Sequence, residues 1–138
     1  MIALLRKLMQ KIQPRRSVPR AAAIGAMGED AAAGFLRAKG MKILARNFRS
    51  GKNEIDIVCK DGAALVFVEV KTRKSGAAVN GFYAAVAKGK KAAVRAAAKD
   101  YLREMRISPK TVRFDAVEVA YEPEKLKPEH VSHYQNVY

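Results

Sequence analysis

Apolar residues along this chain change their period several times, and each change marks an element. From Ala21 to Lys39 the sequence is rich in alanine, with Phe35 and Leu36 on one side of a helical projection and Arg37 and Lys39 on the other. Gly40 follows, the residue type that most readily ends a helix, so this segment predicts a first helix. Three short runs come next: Met41 to Arg49, Glu54 to Lys60 and Ala64 to Thr72. The turn signals Ser50-Gly51 and Asp61-Gly62 separate them, which predicts an antiparallel meander of strands. A glycine-containing loop near Ser75 to Gly81 leads to a long alanine-rich helix ending at about Met105, and Val112 to Val119 then alternates as a further strand. The order is αβββαβ, that of an α/β domain over residues 21–120.

The flanks read differently. Residues 1–20 carry Arg6, Lys7, Lys11, Arg15, Arg16 and Arg20 without one acid, and Pro14 and Pro19 interrupt any long helix. Ile2, Leu5, Met9 and Ile12 recur at helical spacing, so this basic arm suits a short amphipathic helix on phosphates or on anionic lipid, or equally a solvated extension. From Tyr121 to Tyr138, with Pro123 and Pro128, a loosely structured tail is expected.

Composition narrows the partners. The chain has 138 residues, enough for one core and too few for two. Its 27 Lys and Arg stand against 13 Asp and Glu, a net charge of +14 that raises a positive potential over much of so small a body. Polyanions are the expected partners: nucleic acid first, DNA in particular, and an anionic membrane surface second, reached through the arm. A cationic surface with no specific partner satisfies the same charge count. Cys59 is the single cysteine, so no intramolecular disulfide forms, and Arg6 and Lys7 interrupt the apolar start that a signal peptide needs. A cytoplasmic location is expected.

The run LVFVEVKTR is apolar until Glu69 and Lys71, which share a face because strand side chains alternate with period two. On the preceding strand Glu54 and Asp56 share a face, and the Asp61-Gly62 turn brings that strand alongside, so Asp56 and Glu69 can converge. Two nearby carboxylates repel and gain most from a divalent cation between them. Mg²⁺ or Mn²⁺ suits oxygen ligands from Asp56, Glu69 and the carbonyl of Val70, with water left in the remaining positions. Lys71 would then orient or help deprotonate the attacking water, or stabilise charge on phosphoryl oxygens. Cross-strand ion pairs on a wet face are the competing explanation of the same residues.

The ordered set of Gly28-Glu29, NEIDIV, VFVEVKTR and RFD, spanning about Ala21 to Ala120, resembles the bacterial YraN-like family, which is assigned to the PD-(D/E)XK endonuclease-like fold. The resemblance implies a restriction-endonuclease-like core, a mixed central sheet flanked by helices. It aligns Asp56, Glu69 and Lys71 with the nuclease motif, although Ile55 stands where the motif's name has proline and Asn53 where the family usually has glycine. It further implies an extra acidic site residue at Glu29 and a lysine of the second long helix at Lys90.

On that second helix Lys91, Arg95, Lys99 and Arg103 recur every four residues, a positive stripe able to follow a phosphate backbone or simply to face water. Lys71, Arg73 and Lys74 extend the positive surface beside the carboxylates. Asp115 is expected in a structural ion pair with a neighbouring Arg or Lys, and His130 and His133 as incidental surface residues. Two functions follow. One is a divalent-metal-dependent endonuclease, or structure-selective nucleic-acid-processing enzyme, with Asp56, Glu69, Lys71 and Glu29 at its site. The other is a non-catalytic nucleic-acid-binding module on the same scaffold. A homodimer would suit cleavage of two strands, yet no interface stripe stands out.

Overall fold

The centre of the molecule is the strand that the sequence makes most apolar. Leu65, Val66, Phe67 and Val68 are all buried, and their alternate side chains enter two separate cores on opposite faces of one sheet. The computed structural model describes residue 3, residues 19–76 and residues 91–138. The rest of the basic arm up to residue 18, and Lys90, lie outside the described residues.

The elements are α1 (Arg20–Ala38), β1 (Lys42–Ser50), β2 (Asn53–Asp61), β3 (Ala64–Lys74), α2 (Lys91–Met105), β4 (Thr111–Glu122) and β5 (Lys127–Tyr134). The sheet order is β1-β2-β3-β4-β5. β1, β2 and β3 form the expected antiparallel meander, β4 joins β3 in parallel, and β5 returns antiparallel on β4. Parallel neighbours need a crossover, and α2 lies within the β3-to-β4 connection. Among the described residues the fold is thus α/β, a mixed five-stranded sheet with two helices, consistent with the αβββαβ order.

α1 covers one face, where Ala32, Ala33 and Leu36 meet Ile57, Cys59, Val66, Val68, Val117 and Val119. Its approach is close because Gly28 sits over β3: a Cβ there would lie 1.9 Å from Thr72 Oγ1. The helix ends as expected at Gly40 (φ 91°), whose N–H donates to Arg37 O at 2.9 Å while the Met41 N–H reaches Leu36 O. α2 covers the other face with Ala97, Ala98 and Tyr101 against Ile55, Val58, Leu65 and Phe67. The Phe67 ring meets Tyr101 edge-on at 5.8 Å and stacks on Phe114 at 5.6 Å. Full burial of such a side chain stabilises by roughly 1.5–3 kcal/mol.

The loose tail expected from Tyr121 is corrected. β4 runs to Glu122, and Lys127–Tyr134 form an edge strand, reached through a register shift between Ala120 and Tyr121. Pro128 is tolerated because an edge strand has one side free of ladder bonds. The first half of β5 is exposed, so it lacks the alternation that reveals a half-buried strand. Among the described residues no helix is long and apolar enough to cross a membrane.

Candidate active site

The β2–β3 ladder runs from Asp61 opposite Ala64 to Ile57 opposite Val68 and stops there. Asp56 and Glu69 are the first residues past the last paired step. Beyond them the strands part, and the Val70 N–H donates to Asp56 Oδ2 at 2.7 Å in place of a backbone carbonyl. The gap is a cleft of about 300 Å³ lined by Glu54, Asp56, Glu69, Val70 and Lys71, and bounded by Ala93 and Val94 of α2. The predicted convergence of Asp56, Glu69 and Lys71 is therefore present, on the sheet face that α2 covers.

Burial above all, joined by the charges of Glu29, Glu69 and Glu54, pushes the Asp56 carboxyl up to about 6 against the opposing Val70 N–H. Glu29 contributes through its field from α1. Its Oε2 lies 3.8 Å from Arg46 Nη2, and the same guanidinium holds Asp30 at 2.8 Å. Lys71 is exposed at the mouth of the cleft. A half-buried aspartate with raised proton affinity among like charges is a site that a cation would relieve. Asp56, Glu69 and the backbone of Val70 offer only oxygen donors, which fit a hard divalent ion. Among the described residues no group of three or more His, Cys, Asp or Glu side chains gathers as a metal cluster.

Of the basic residues, Lys91, Arg95 and Lys99 are exposed along α2, and Lys74 is exposed at the end of β3. Arg103 is also exposed and pairs with Asp100 at 2.6 Å. Arg73 turns inward instead, with its Nε 3.7 Å from Oε1 of the buried Glu118.

Comparison with known sequences settles the lineage. Residues 28–119 match the sequence model of Uncharacterised protein family UPF0102. The chain belongs to this family. A UPF0102 protein of Syntrophotalea carbinolica is 42% identical over 107 residues, covering 78% of this chain and 86% of the relative. A second, from Solibacter usitatus, is 41% identical over 121 residues, with 86% and 89% covered. A third, from Frankia alni, is 41% identical over 116 residues, with 84% and 94% covered. The YraN-like resemblance read from the motifs is this family.

In this UPF0102 chain two residues beside the site escaped the sequence reading. Tyr138 donates its hydroxyl to Glu69 Oε2 at 3.4 Å, and burial, followed by the Glu69 charge, pushes the phenol up to about 12. Glu118 lies opposite Lys71 across the parallel ladder, and its Oε2 is buried without a hydrogen bond among the described residues. The Val-Glu-Val alternation of β4 was the available signal for Glu118, whereas nothing local pointed to Tyr138.

Asp115 has the expected ion pair: Arg113 Nε and Nη2 both lie 2.9 Å from its oxygens. Arg113 also reaches Asp61 Oδ2 at 3.0 Å. His130 is exposed, as expected, but His133 is not incidental. Its side chain is 1% exposed, with Nε2 2.8 Å from Asp115 Oδ2 and Nδ1 2.8 Å from Lys39 Nζ. An ammonium only donates, so Nδ1 accepts and the ring hydrogen on Nε2 faces Asp115. The reason is β5, which seats His133 opposite Val117 on the α1 side.

Proposed function

We propose that this chain is a divalent-metal-dependent endonuclease, or a structure-selective processing enzyme of the same chemistry, that hydrolyses phosphodiester bonds in DNA. The observation that carries the reading is the meeting of Asp56, Glu69 and Lys71 where β2 and β3 part, beside the basic helix α2. Asp56, Glu69 and the Val70 carbonyl would hold Mg²⁺ or Mn²⁺. When bound, the cation supplies a Lewis acid that draws charge from a phosphoryl group and acidifies water.

The chain's own residues do the rest. The Lys71 ammonium orients the attacking water and offsets charge growing on the phosphoryl oxygens. Water adds to phosphorus and releases a proton to solvent, the bond to the ester oxygen breaks, and the departing alkoxide takes a proton from solvent. Glu29 strengthens the negative field around Asp56. Lys74, Lys91, Arg95 and Lys99, with Lys90 beside them in the sequence, follow the phosphate backbone. Arg73 adds charge from its place against Glu118.

The lack of a third ligand-type side chain in a cluster, among the described residues, favours one alternative: a module that binds nucleic acid by charge and does not cleave. Cleavage of linear, single-stranded, flapped and four-way-junction DNAs with Mg²⁺, Mn²⁺ or EDTA separates the two. Metal-dependent cutting by the wild type, lost in Asp56→Ala and Lys71→Ala, is the expected result. Binding without cutting across the panel would leave the module.

A further inference from the structure

Away from the cleft, the large apolar side chains exposed among the described residues gather at the opposite end of the sheet. They are Leu44, Met105, Ile107 and Val112. Leu44 and Ile107 line a hollow of about 640 Å³ together with Leu65 and Pro109. Ile107 and Pro109 continue into a neighbouring hollow of about 580 Å³ that Val112 also lines. Lys42, Lys60 and Arg106 rim the first, Arg103 and Arg106 the second, and no carboxylate lines either.

We propose that this surface docks a short acidic segment of a partner protein, one that carries apolar side chains among its carboxylates. The exposed apolar groups gain by burial, while Lys42, Lys60 and Arg106, which meet no carboxylate among the described residues, gain by pairing, and only a segment of that composition supplies both. Nucleic acid offers phosphates but no apolar side chains. Residues 1–18 and 77–90 of this chain contain no Asp or Glu, so they cannot complete the charge match. A second copy, with net charge +14, is repelled. The hollow also leaves the cleft free. Lys42, Lys60, Leu65 and Val112 stand in one row across the sheet, and Glu69 lies four residues further along β3, about 13 Å away at the usual rise per residue. A partner held here can present or recruit the chain without covering Asp56 and Lys71.

The test is a titration of the ¹⁵N-labelled full chain with a synthetic peptide of alternating aspartate and leucine or phenylalanine. A peptide with lysine for each aspartate and a single-stranded oligonucleotide serve as the other arms. The acidic peptide should shift the amides of Leu44, Lys60, Arg106 and Ile107, and Ile107→Asp and Arg106→Glu should each weaken it by about tenfold or more. The lysine peptide should not bind. Should Ile107→Asp lose its dispersed spectrum, the exposed Arg106→Glu decides. No shifts, shifts confined to the cleft or the α2 stripe, or displacement of the peptide by the oligonucleotide would each overturn the proposal.

Discussion

The Val70 N–H donates to Asp56 Oδ2 at 2.7 Å, at the step where β2 and β3 cease to pair. One oxygen of Asp56 thereby substitutes for a missing ladder carbonyl. It satisfies a backbone donor that would otherwise be stranded and leaves the second oxygen for a ligand. The same carboxylate thus ties β3 to β2 beyond the end of the ladder and lines the cleft.

That position makes stability depend on pH. Asp56 holds its proton up to about 6 when folded, against 3.8 for an unperturbed aspartate, so its charged form opposes folding. The penalty is absent below the lower value, grows between the two and is complete above the higher. Asp56→Asn keeps an oxygen for Val70 and should raise stability at neutral pH by ~1–3 kcal/mol, with no gain at acid pH. Urea unfolding at both ends of the window measures this, and an equal difference at both would mean that Asp56 titrates normally.

Under the proposed function, protons and a divalent cation would compete for the same oxygens. Mn²⁺ affinity, followed by isothermal calorimetry, should fall by up to about tenfold for each pH unit below the Asp56 midpoint. Asp56→Ala and Glu69→Ala should each abolish the heat. Binding that survives both variants would locate the ion elsewhere.

Asp115, which is fully buried, shows the opposite titration. Burial works to raise its pKa, but hydrogen bonds from His133, Arg113 and the Asn136 backbone, with the Arg113 charge, hold it below the ordinary value. Its contribution is therefore complete above 3.8 and is lost as pH falls through the depressed value. Asp115→Ala leaves Arg113 to Asp61 alone and His133 Nε2 without its partner, and should cost about 1–3 kcal/mol at neutral pH, a loss that shrinks in acid. A variant as stable as the wild type in guanidinium would show the network to be dispensable.

Gly28 tests the seating of α1. Gly28→Val drives side-chain atoms into Thr72 and should destabilise by about 1–3 kcal/mol. Thr72→Ala, which removes Oγ1 and Cγ2, should recover part of that loss in a double-mutant cycle. Simple additivity would mean that the helix shifts away instead.

The α2 stripe makes a prediction about salt. If Lys91, Arg95 and Lys99 each neutralise a duplex phosphate, replacing all three by alanine should make the slope of log affinity against log salt shallower by about 0.9 per contact. Fluorescence anisotropy across a salt series reads the slope directly. An unaltered slope would return the stripe to the solvent.

Much of the fold and part of the site were legible along the chain. Alternation by two sets Glu69 and Lys71 on one face of β3, and the Asp61-Gly62 turn sets β2 beside it, so Asp56 had to approach Glu69. The basic spacing of α2 likewise implied the exposed stripe that is observed. These are consequences of backbone geometry over a few residues, and a sequence carries them directly.

The remainder depended on residues far apart meeting in space. β5 became a strand only because β4 offered it an edge. Only then did His133 reach Asp115 and Lys39, the latter 94 residues away in sequence, and Tyr138 reach Glu69, 69 residues away. The inward turn of Arg73 came from Glu118, supplied by the parallel strand across a crossover. Local periodicity has no reach over such separations. Which strand edges stay open, and which polar groups are then buried together, follows from the packing of the whole sheet, so the tertiary structure alone decided them.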